Sequence, residues 1–146
     1  MFKEKSAGAI IFRQNKERKY LLLHYEQGHW DFVKGNIENK ESEKETIIRE
    51  AKEEANINKL YFIDGFREII KYFYEKDKEL INKEVIFCIA KTEQKNVKLS
   101  YEHIAYKWLN FNDSLKLLTY KTAKDILKKA EDFLKKYYSQ KKLDSY

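Results

Sequence analysis

Carboxylates are concentrated in one short segment of the chain, between Gly35 and Ile57. Glu50 and Glu54 are four residues apart, so in a helix they share a face and repel each other by about 0.2–0.5 kcal/mol. Glu53 and Glu54 would also fall in the last helical turn, where the helix dipole disfavours anions by about 0.3–1 kcal/mol each. A segment that carries both penalties is more easily explained by a bound cation than by folding.

The helical geometry supports this interpretation. At about 100° per residue, the three carboxylates span an arc of about 100° on one side of the helix. An apolar stripe on the opposite side, expected to pack against a core, is formed by Ile48, Ala51 and Ala55. Clustered oxygen ligands suit hard cations such as Mg²⁺, which keeps several waters and bridges to substrate phosphates. The spacing alone leaves a solvated acidic face as an equal alternative.

The spacing of this segment also resembles the motif of the Nudix hydrolase family. That motif reads Gly, five residues, Glu, seven residues, Arg-Glu, an aliphatic, any residue, Glu-Glu, any residue, Gly and an aliphatic. The matching positions here are Gly35, Glu41, Arg49, Glu50, Ala51, Glu53, Glu54, Asn56 and Ile57. Asn56 replaces the family's last Gly. Because it follows the helix, we expect a positive φ there, for which Asn is the next-best residue.

Chain length and cysteine content limit the class of protein. A chain of 146 residues fits a single domain spanning 1–146, with a loose tail expected after about residue 139. Cys88 is the one cysteine, and its apolar surroundings predict a buried thiol in a reducing compartment. No stretch approaches about 20 apolar residues, and the N-terminus lacks a signal peptide's apolar region. We therefore expect a cytoplasmic protein without a membrane partner.

The chain is basic, with a net charge of +6. A positive surface suits polyanionic partners such as nucleotides and RNA. Surface lysines that only solvate the protein are an equally good explanation.

The pattern of apolar residues predicts mixed strands and helices. Strands are expected at 6–12, 20–24, 60–66, 69–74, 84–90 and 105–109, with a short extended segment at 30–33. Helices are expected at 43–55, 111–118 and 121–138, with a loop at 35–40 and a charged turn at 75–82. Ser42 and Glu45 have capping-box spacing before the first helix. This order predicts an α/β (α+β) sandwich, and the resemblance to the Nudix fold supplies its topology, a mixed sheet between helices.

From Ser6 to about Leu134 the chain is similar to one branch of that family, the asymmetric diadenosine tetraphosphate (Ap4A) hydrolases. The shared features are SAG, LLL, a His-Trp pair before Lys-Gly, a later Gly-Phe, Tyr72, Lys83-x-Val and the block SYEHIAYKWL. The segment WDFVKGN departs from these relatives, because Val33 and Asn36 stand where they usually have proline and histidine.

The resemblance implies a role for each site residue. Metal ligands would be Glu50, Glu53, Glu54 and the backbone carbonyl of Lys34, with Glu102 as a further ligand or the general base. Glu53, Glu54 and Glu102 would be the catalytic carboxylates. Gly35, Glu41 and Arg49 would support the site, the last two as an ion pair. Tyr72 and Tyr120 would stack on adenine, and Lys83, His29 and Lys34 would contact phosphate, although strand tyrosines commonly serve only for packing.

These features predict Mg²⁺-dependent hydrolysis of a dinucleoside polyphosphate, with Mn²⁺ as a substitute. Water would attack phosphorus in diadenosine tetraphosphate and release AMP and ATP. An RNA 5′-end pyrophosphohydrolase or decapping enzyme is the alternative, since a cap is chemically a dinucleoside polyphosphate. A non-catalytic nucleotide sensor is a third interpretation, against which the intact carboxylates count. No DNA partner is expected.

Overall fold

A mixed seven-stranded sheet lies at the centre of residues 2–144, the part of the chain that this computed structural model describes. Its strands are β1 (Phe2–Gln14), β2 (Arg18–Tyr25), β3 (Trp30–Asp31), β4 (Val33–Asn36), β5 (Tyr61–Lys76), β6 (Glu79–Lys91) and β7 (His103–Leu109). Strand β1 pairs in parallel with β6 and antiparallel with β2 and β4. Strand β5 adds to β6 on one side, and β7 adds to β2 on the other.

Helices cover both faces of this sheet. The side chains of β1 alternate between the two faces, so the strand contributes to an apolar cluster on each side. Ala7, Ala9 and Ile11 belong to the apolar cluster that also contains residues of α1 (Glu43–Ala55). Ile10 and Phe12 belong to a second cluster with α3 (Lys121–Asp144), against which the short α2 (Phe111–Leu117) also packs. The predicted α/β/α sandwich with a mixed sheet is confirmed.

Local sequence determines both ends of α1. The Ser42 side chain accepts a hydrogen bond from the Glu45 amide, and the Glu45 side chain accepts one from the Ser42 amide, so the capping box is confirmed. Asn56 ends the helix with φ 54°, as expected. The prediction that Ile48 packs on the core is wrong, because it is 50 % exposed. The buried residue is Ile47, which lies on the Ala51 face one turn earlier.

The β5–β6 hairpin is longer than its sequence predicts. The two strands expected at 60–66 and 69–74 are one strand, whose register with β6 shifts between Ile63 and Glu68. Gly65 lies in this irregularity with φ +99°, so the apparent break is a bulge. The charged turn expected at 75–82 shrinks to Asp77 and Lys78, both with positive φ, which is the conformation of a tight two-residue hairpin turn.

Helix α3 continues to Asp144, so the loose tail expected after residue 139 is not found within the described residues. The rings of Tyr137 and Tyr138 pack against the core cluster beside Phe133, which extends the apolar side of the helix. No helix within residues 2–144 is long and apolar enough to cross a membrane.

Candidate active site

Gly35 allows α1 to approach the sheet closely. The residue lies in β4, not in the predicted loop. A Cβ atom at this position would lie 2.0 Å from Cδ and 2.1 Å from Oε1 of Glu50. The Glu50 carboxylate therefore occupies the space that any side chain at position 35 would need.

Arg49 forms ion pairs with the acidic side chains of Glu41 and Glu50. Its Nε atom lies 2.7 Å from Oε2 of Glu41, which confirms the expected ion pair. Its Nη1 donates to Oε1 of Glu50 at 2.8 Å, and its Nη2 donates to the carbonyl of Asn36 at 2.9 Å. The hydrogen bond from Arg49 is the main reason that the pKa of Glu41 falls to about 2. One guanidinium thus ties the loop before α1, the helix and β4 together.

Glu50 and Glu54 form an acidic pair, in which Glu54 is buried and Glu50 is partly buried. Glu54 is 5 % exposed, and among the described residues its Oε2 has no hydrogen-bond partner. Burial, followed by the adjacent Glu50 carboxylate, raises the pKa of Glu54. Burial also raises the pKa of Glu50, against the lowering effect of Arg49. Because Arg49 pairs with Glu50 and the Glu54 carboxylate has the like-charged Glu50 beside it, a cation bound here would satisfy the unpartnered oxygen and relieve the repulsion.

The other two carboxylates predicted as metal ligands, Glu53 and Glu102, are more exposed to solvent. The Glu53 side chain is 59 % exposed and lies 3.3 Å from Nη1 of Arg49. Glu102 is exposed in a turn before β7 and lines the same groove as Glu50 and Glu54. Within residues 2–144, no three acidic, histidine or cysteine side chains converge into a preformed metal site. The donor set nevertheless suits a hard divalent cation, because it consists of carboxylate oxygens, one of them buried and unpartnered.

Two adjoining cavities extend from these carboxylates. The larger is an open groove of about 1160 Å³ with Glu50, Glu53, Glu54 and Glu102 in its lining. The smaller, about 440 Å³, lies between Tyr72 and Tyr120 above the apolar side chains of Ile70, Val85 and Phe87. The two cavities share His29, Lys34 and Tyr72 in their walls. The structure thus brings all the predicted substrate-binding residues to one connected space.

Both predicted phosphate-binding lysines already have acidic partners. Lys34 Nζ lies 3.0 Å from Oδ2 of Asp31. Burial lowers the pKa of Lys34, but Asp31 more than offsets this effect, so the net shift is upward and the ammonium stays charged. Lys83 Nζ donates to Oε2 of Glu4 at 3.1 Å and to Oδ1 of Asn36 at 2.8 Å. Asn36, which departs from the family pattern, therefore helps to hold Lys83.

His29 contributes a different kind of contact. Burial lowers its pKa, against the raising effect of Asp31. The shift favours the neutral imidazole. The centroids of the His29 and Tyr120 rings are 5.5 Å apart, and both rings line the smaller cavity.

Tyr25 was not identified from the sequence, although it lies at the centre of the site. Its ring stacks on His29 at 4.6 Å and meets His103 edge-on at 4.3 Å. Its hydroxyl donates to the carbonyl of Phe32 at 2.7 Å. Burial, followed by the charge of Glu54, raises the pKa of Tyr25. Nothing in a single sequence distinguishes this residue from the ten other tyrosines of the chain.

Comparison with known proteins gives a consistent result. Residues 3–130 match the NUDIX domain. The asymmetrical bis(5′-nucleosyl)-tetraphosphatase of Sus scrofa is 35% identical over 144 residues, covering 89% of this chain and 95% of that protein. The enzyme of the same name from Caenorhabditis elegans is 36% identical over 137 residues, covering 89% and 96%.

A solved structure shows the same similarity in three dimensions. The crystal structure of a C. elegans Ap4A hydrolase binary complex matches with a TM-score of 0.75 at 32% identity, covering 90% of this chain and 97% of that one. The matched residues include the whole carboxylate motif between Gly35 and Ile57. This chain belongs to the Nudix family.

Proposed function

We propose that the protein hydrolyses diadenosine tetraphosphate asymmetrically, with Mg²⁺ as the cofactor and ATP and AMP as products. One observation carries this proposal: a cavity walled by Tyr72 and Tyr120 opens directly onto the carboxylate groove. A nucleoside with a long phosphate chain has the same two parts, a flat base and an extended polyanion. The curated relatives bear the name of that activity.

The smaller cavity would hold one adenine. Tyr72 and Tyr120 are 38 % and 49 % exposed, so each has a ring face available to a ligand. Stacking of a base on an aromatic ring is worth about 1–3 kcal/mol and does not depend on which base is bound. The apolar side chains beneath the rings supply the remaining contact surface.

The groove would hold the phosphates. Lys34 and Lys83 line it, and their ammonium groups can turn from Asp31 and Glu4 toward phosphate oxygens. Ion pairs with phosphate are charge-assisted and stronger than neutral hydrogen bonds. The two lysines would therefore fix the chain relative to the carboxylates of α1.

Glu50, Glu53 and Glu54, with the backbone carbonyl of Lys34, would hold the metal. A bound Mg²⁺ neutralises phosphate oxygens and acidifies a water molecule. Arg49 keeps Glu50 in place, and Gly35 leaves room for it. Divalent metal ions are general to Nudix hydrolases, and Mn²⁺ is expected to replace Mg²⁺ here.

Glu102 would complete the reaction as the proton acceptor. It faces the groove from the β7 side and is exposed, whereas Glu54 is buried and Glu50 is partly buried. The oxygen of water would bond to the phosphorus nearest one adenosine. The bond from that phosphorus to the oxygen shared with the next phosphorus would break. AMP would then keep the new oxygen, and ATP would leave. The water proton would pass to Glu102.

The test is product analysis in ¹⁸O-labelled water. The protein is incubated with diadenosine tetraphosphate and Mg²⁺, and the nucleotides are separated by ion-exchange chromatography. Equal amounts of ATP and AMP, with ¹⁸O in AMP, are expected. ADP as the only product, or no turnover with Mg²⁺ or Mn²⁺, would refute the proposal.

RNA 5′ ends are the competing substrate class, because the net charge of +6 suits any polyanion. Triphosphorylated and capped RNA should be assayed in parallel with diadenosine tetraphosphate at the same enzyme concentration. A higher kcat/KM on either RNA would replace the proposed substrate while leaving the chemistry unchanged.

A further inference from the structure

The aromatic side chain of Tyr101 is exposed to solvent. It is 89 % exposed, more than any other large apolar or aromatic side chain described in residues 2–144. It nevertheless lines the carboxylate groove, beside Gln27 and Glu102. Exposed aromatic rings at the edge of a nucleotide groove are suited to stacking on a base.

The backbone around Tyr101 is firmly held although its ring is free. The amide of Ser100 donates to the carbonyl of Glu54 at 3.1 Å, which joins this turn directly to the end of α1. The amide of Glu26 donates to the carbonyl of Glu102 at 2.9 Å, and that of His103 donates to the carbonyl of Ser100 at 3.2 Å. The position of the Tyr101 backbone is therefore fixed relative to Glu54 and the end of α1.

The sheet topology places Tyr101 on the opposite side of β1 from Tyr72, which lines both cavities. Tyr72 lies on β5, which is the last strand on the β6 side. Tyr101 precedes β7, which pairs with β2 on the other side of β1. Helix α1 packs over β1 and β4, between these two sides. The carboxylates thus lie between two aromatic positions.

A dinucleoside polyphosphate has two bases, whereas the cavity between Tyr72 and Tyr120 accommodates one. With the first base there and the phosphates over α1, the second nucleoside would emerge toward the β7 side. We propose that Tyr101 is the stacking platform for this second base. This inference rests on the proposed function, which it extends to the specificity for a substrate with two nucleosides.

Steady-state kinetics on the full chain tests the inference. The KM for diadenosine tetraphosphate is measured beside the Ki of adenosine 5′-tetraphosphate, a competitive inhibitor that lacks the second nucleoside. In Tyr101→Ala, KM should rise about five- to hundredfold, and Ki should stay within about twofold. Tyr101→Phe should restore KM, since the ring and not the hydroxyl makes the contact. Ile104→Ala, a 60 % exposed side chain in the same segment, should change neither constant.

Three results would overturn the inference. An unchanged KM in Tyr101→Ala would show that the ring does not contact substrate. A parallel rise of KM and Ki would show that the ring only maintains the turn. A wild-type protein that does not cleave diadenosine tetraphosphate would refute the proposed function, and this inference with it, whereas turnover with an unaffected variant would refute this inference alone.

Discussion

Glu54→Gln separates the stability of the site from its activity. The change keeps the shape of a side chain that is 5 % exposed but removes its ionisable group. It also lets an amide nitrogen donate to the Glu50 carboxylate. Because the unpartnered Oε2 and the neighbouring carboxylate disfavour the ionised form, the variant should be more stable than the wild type when no metal is present.

The size and sign of this effect follow from the pKa. Burial raises the pKa of Glu54 in the folded state above its unfolded value of about 4.3. The wild type is therefore destabilised as pH rises above about 4.3, by at most about 3.7 kcal/mol at pH 7, since each pKa unit is worth about 1.36 kcal/mol. A hydrogen bond with the backbone of Lys34 lowers the pKa of Glu54 and so reduces this penalty, and we expect about 1–3 kcal/mol.

Thermal unfolding in EDTA, measured from pH 5 to pH 8, is the assay. The Tm of Glu54→Gln should exceed that of the wild type by several degrees at pH 7, and the difference should shrink toward pH 5. Saturating Mg²⁺ should remove or reverse the difference, because a ligand at a hundred times its Kd stabilises the wild type by about 2.7 kcal/mol. The kcat of the variant should fall by orders of magnitude.

The matched control is Glu53→Gln, whose side chain is 59 % exposed and bonded to Arg49. Its Tm in EDTA should stay near that of the wild type. The reasoning fails if Glu54→Gln is the less stable protein without metal, or if its advantage does not depend on pH. Near-normal kcat in Glu54→Gln would remove the proposed metal-ligand role.

Three further changes test other parts of the structure. Gly35→Ala should reduce kcat/KM about a hundredfold by displacing the Glu50 carboxylate, and it should have no further effect in a Glu50→Ala background; equal losses in both backgrounds would contradict the steric explanation. Tyr120→Ala should raise the KM for diadenosine tetraphosphate at least fivefold with kcat little changed, and an unaltered KM would mean that this ring only packs. Tyr20→Phe removes the 2.5 Å hydrogen bond to the buried Glu131 and should lower the unfolding free energy by about 1–3 kcal/mol in urea titrations; unchanged stability would show that Glu131 is satisfied without it.

Local patterns in the sequence predict α1 well. The capping box, the carboxylate spacing and the αL residue at Asn56 are all set by residues within one or two turns of each other. The error at Ile48 has the same origin, because Ile47 and Ile48 are chemically alike and differ only in helical angle. Which of the two meets the sheet depends on where β1 lies, and no local pattern contains that information.

Contacts between distant segments explain what the sequence did not predict. The need for glycine at position 35 arises from a side chain on another element, which reaches within 2.0 Å of the missing Cβ. The pairing of Lys83 with Glu4 depends on the parallel register of β1 and β6, where these two residues are direct partners. The number of residues between the members of such a pair depends on the lengths of the intervening loops. No fixed sequence spacing therefore predicts the pair.

The bulge at Gly65 has a consequence for how the protein behaves at high concentration. Strand β5 has sixteen residues, and within residues 2–144 it pairs with β6 alone. A long, straight outer strand is a template for strand addition by another molecule and hence for aggregation. The bulge breaks the regular register of this strand, and the exposed charges of Lys71 and Glu75 oppose the approach of a second strand. The register shift near Gly65 therefore makes β5 a poorer template for strand addition than a regular strand of the same length.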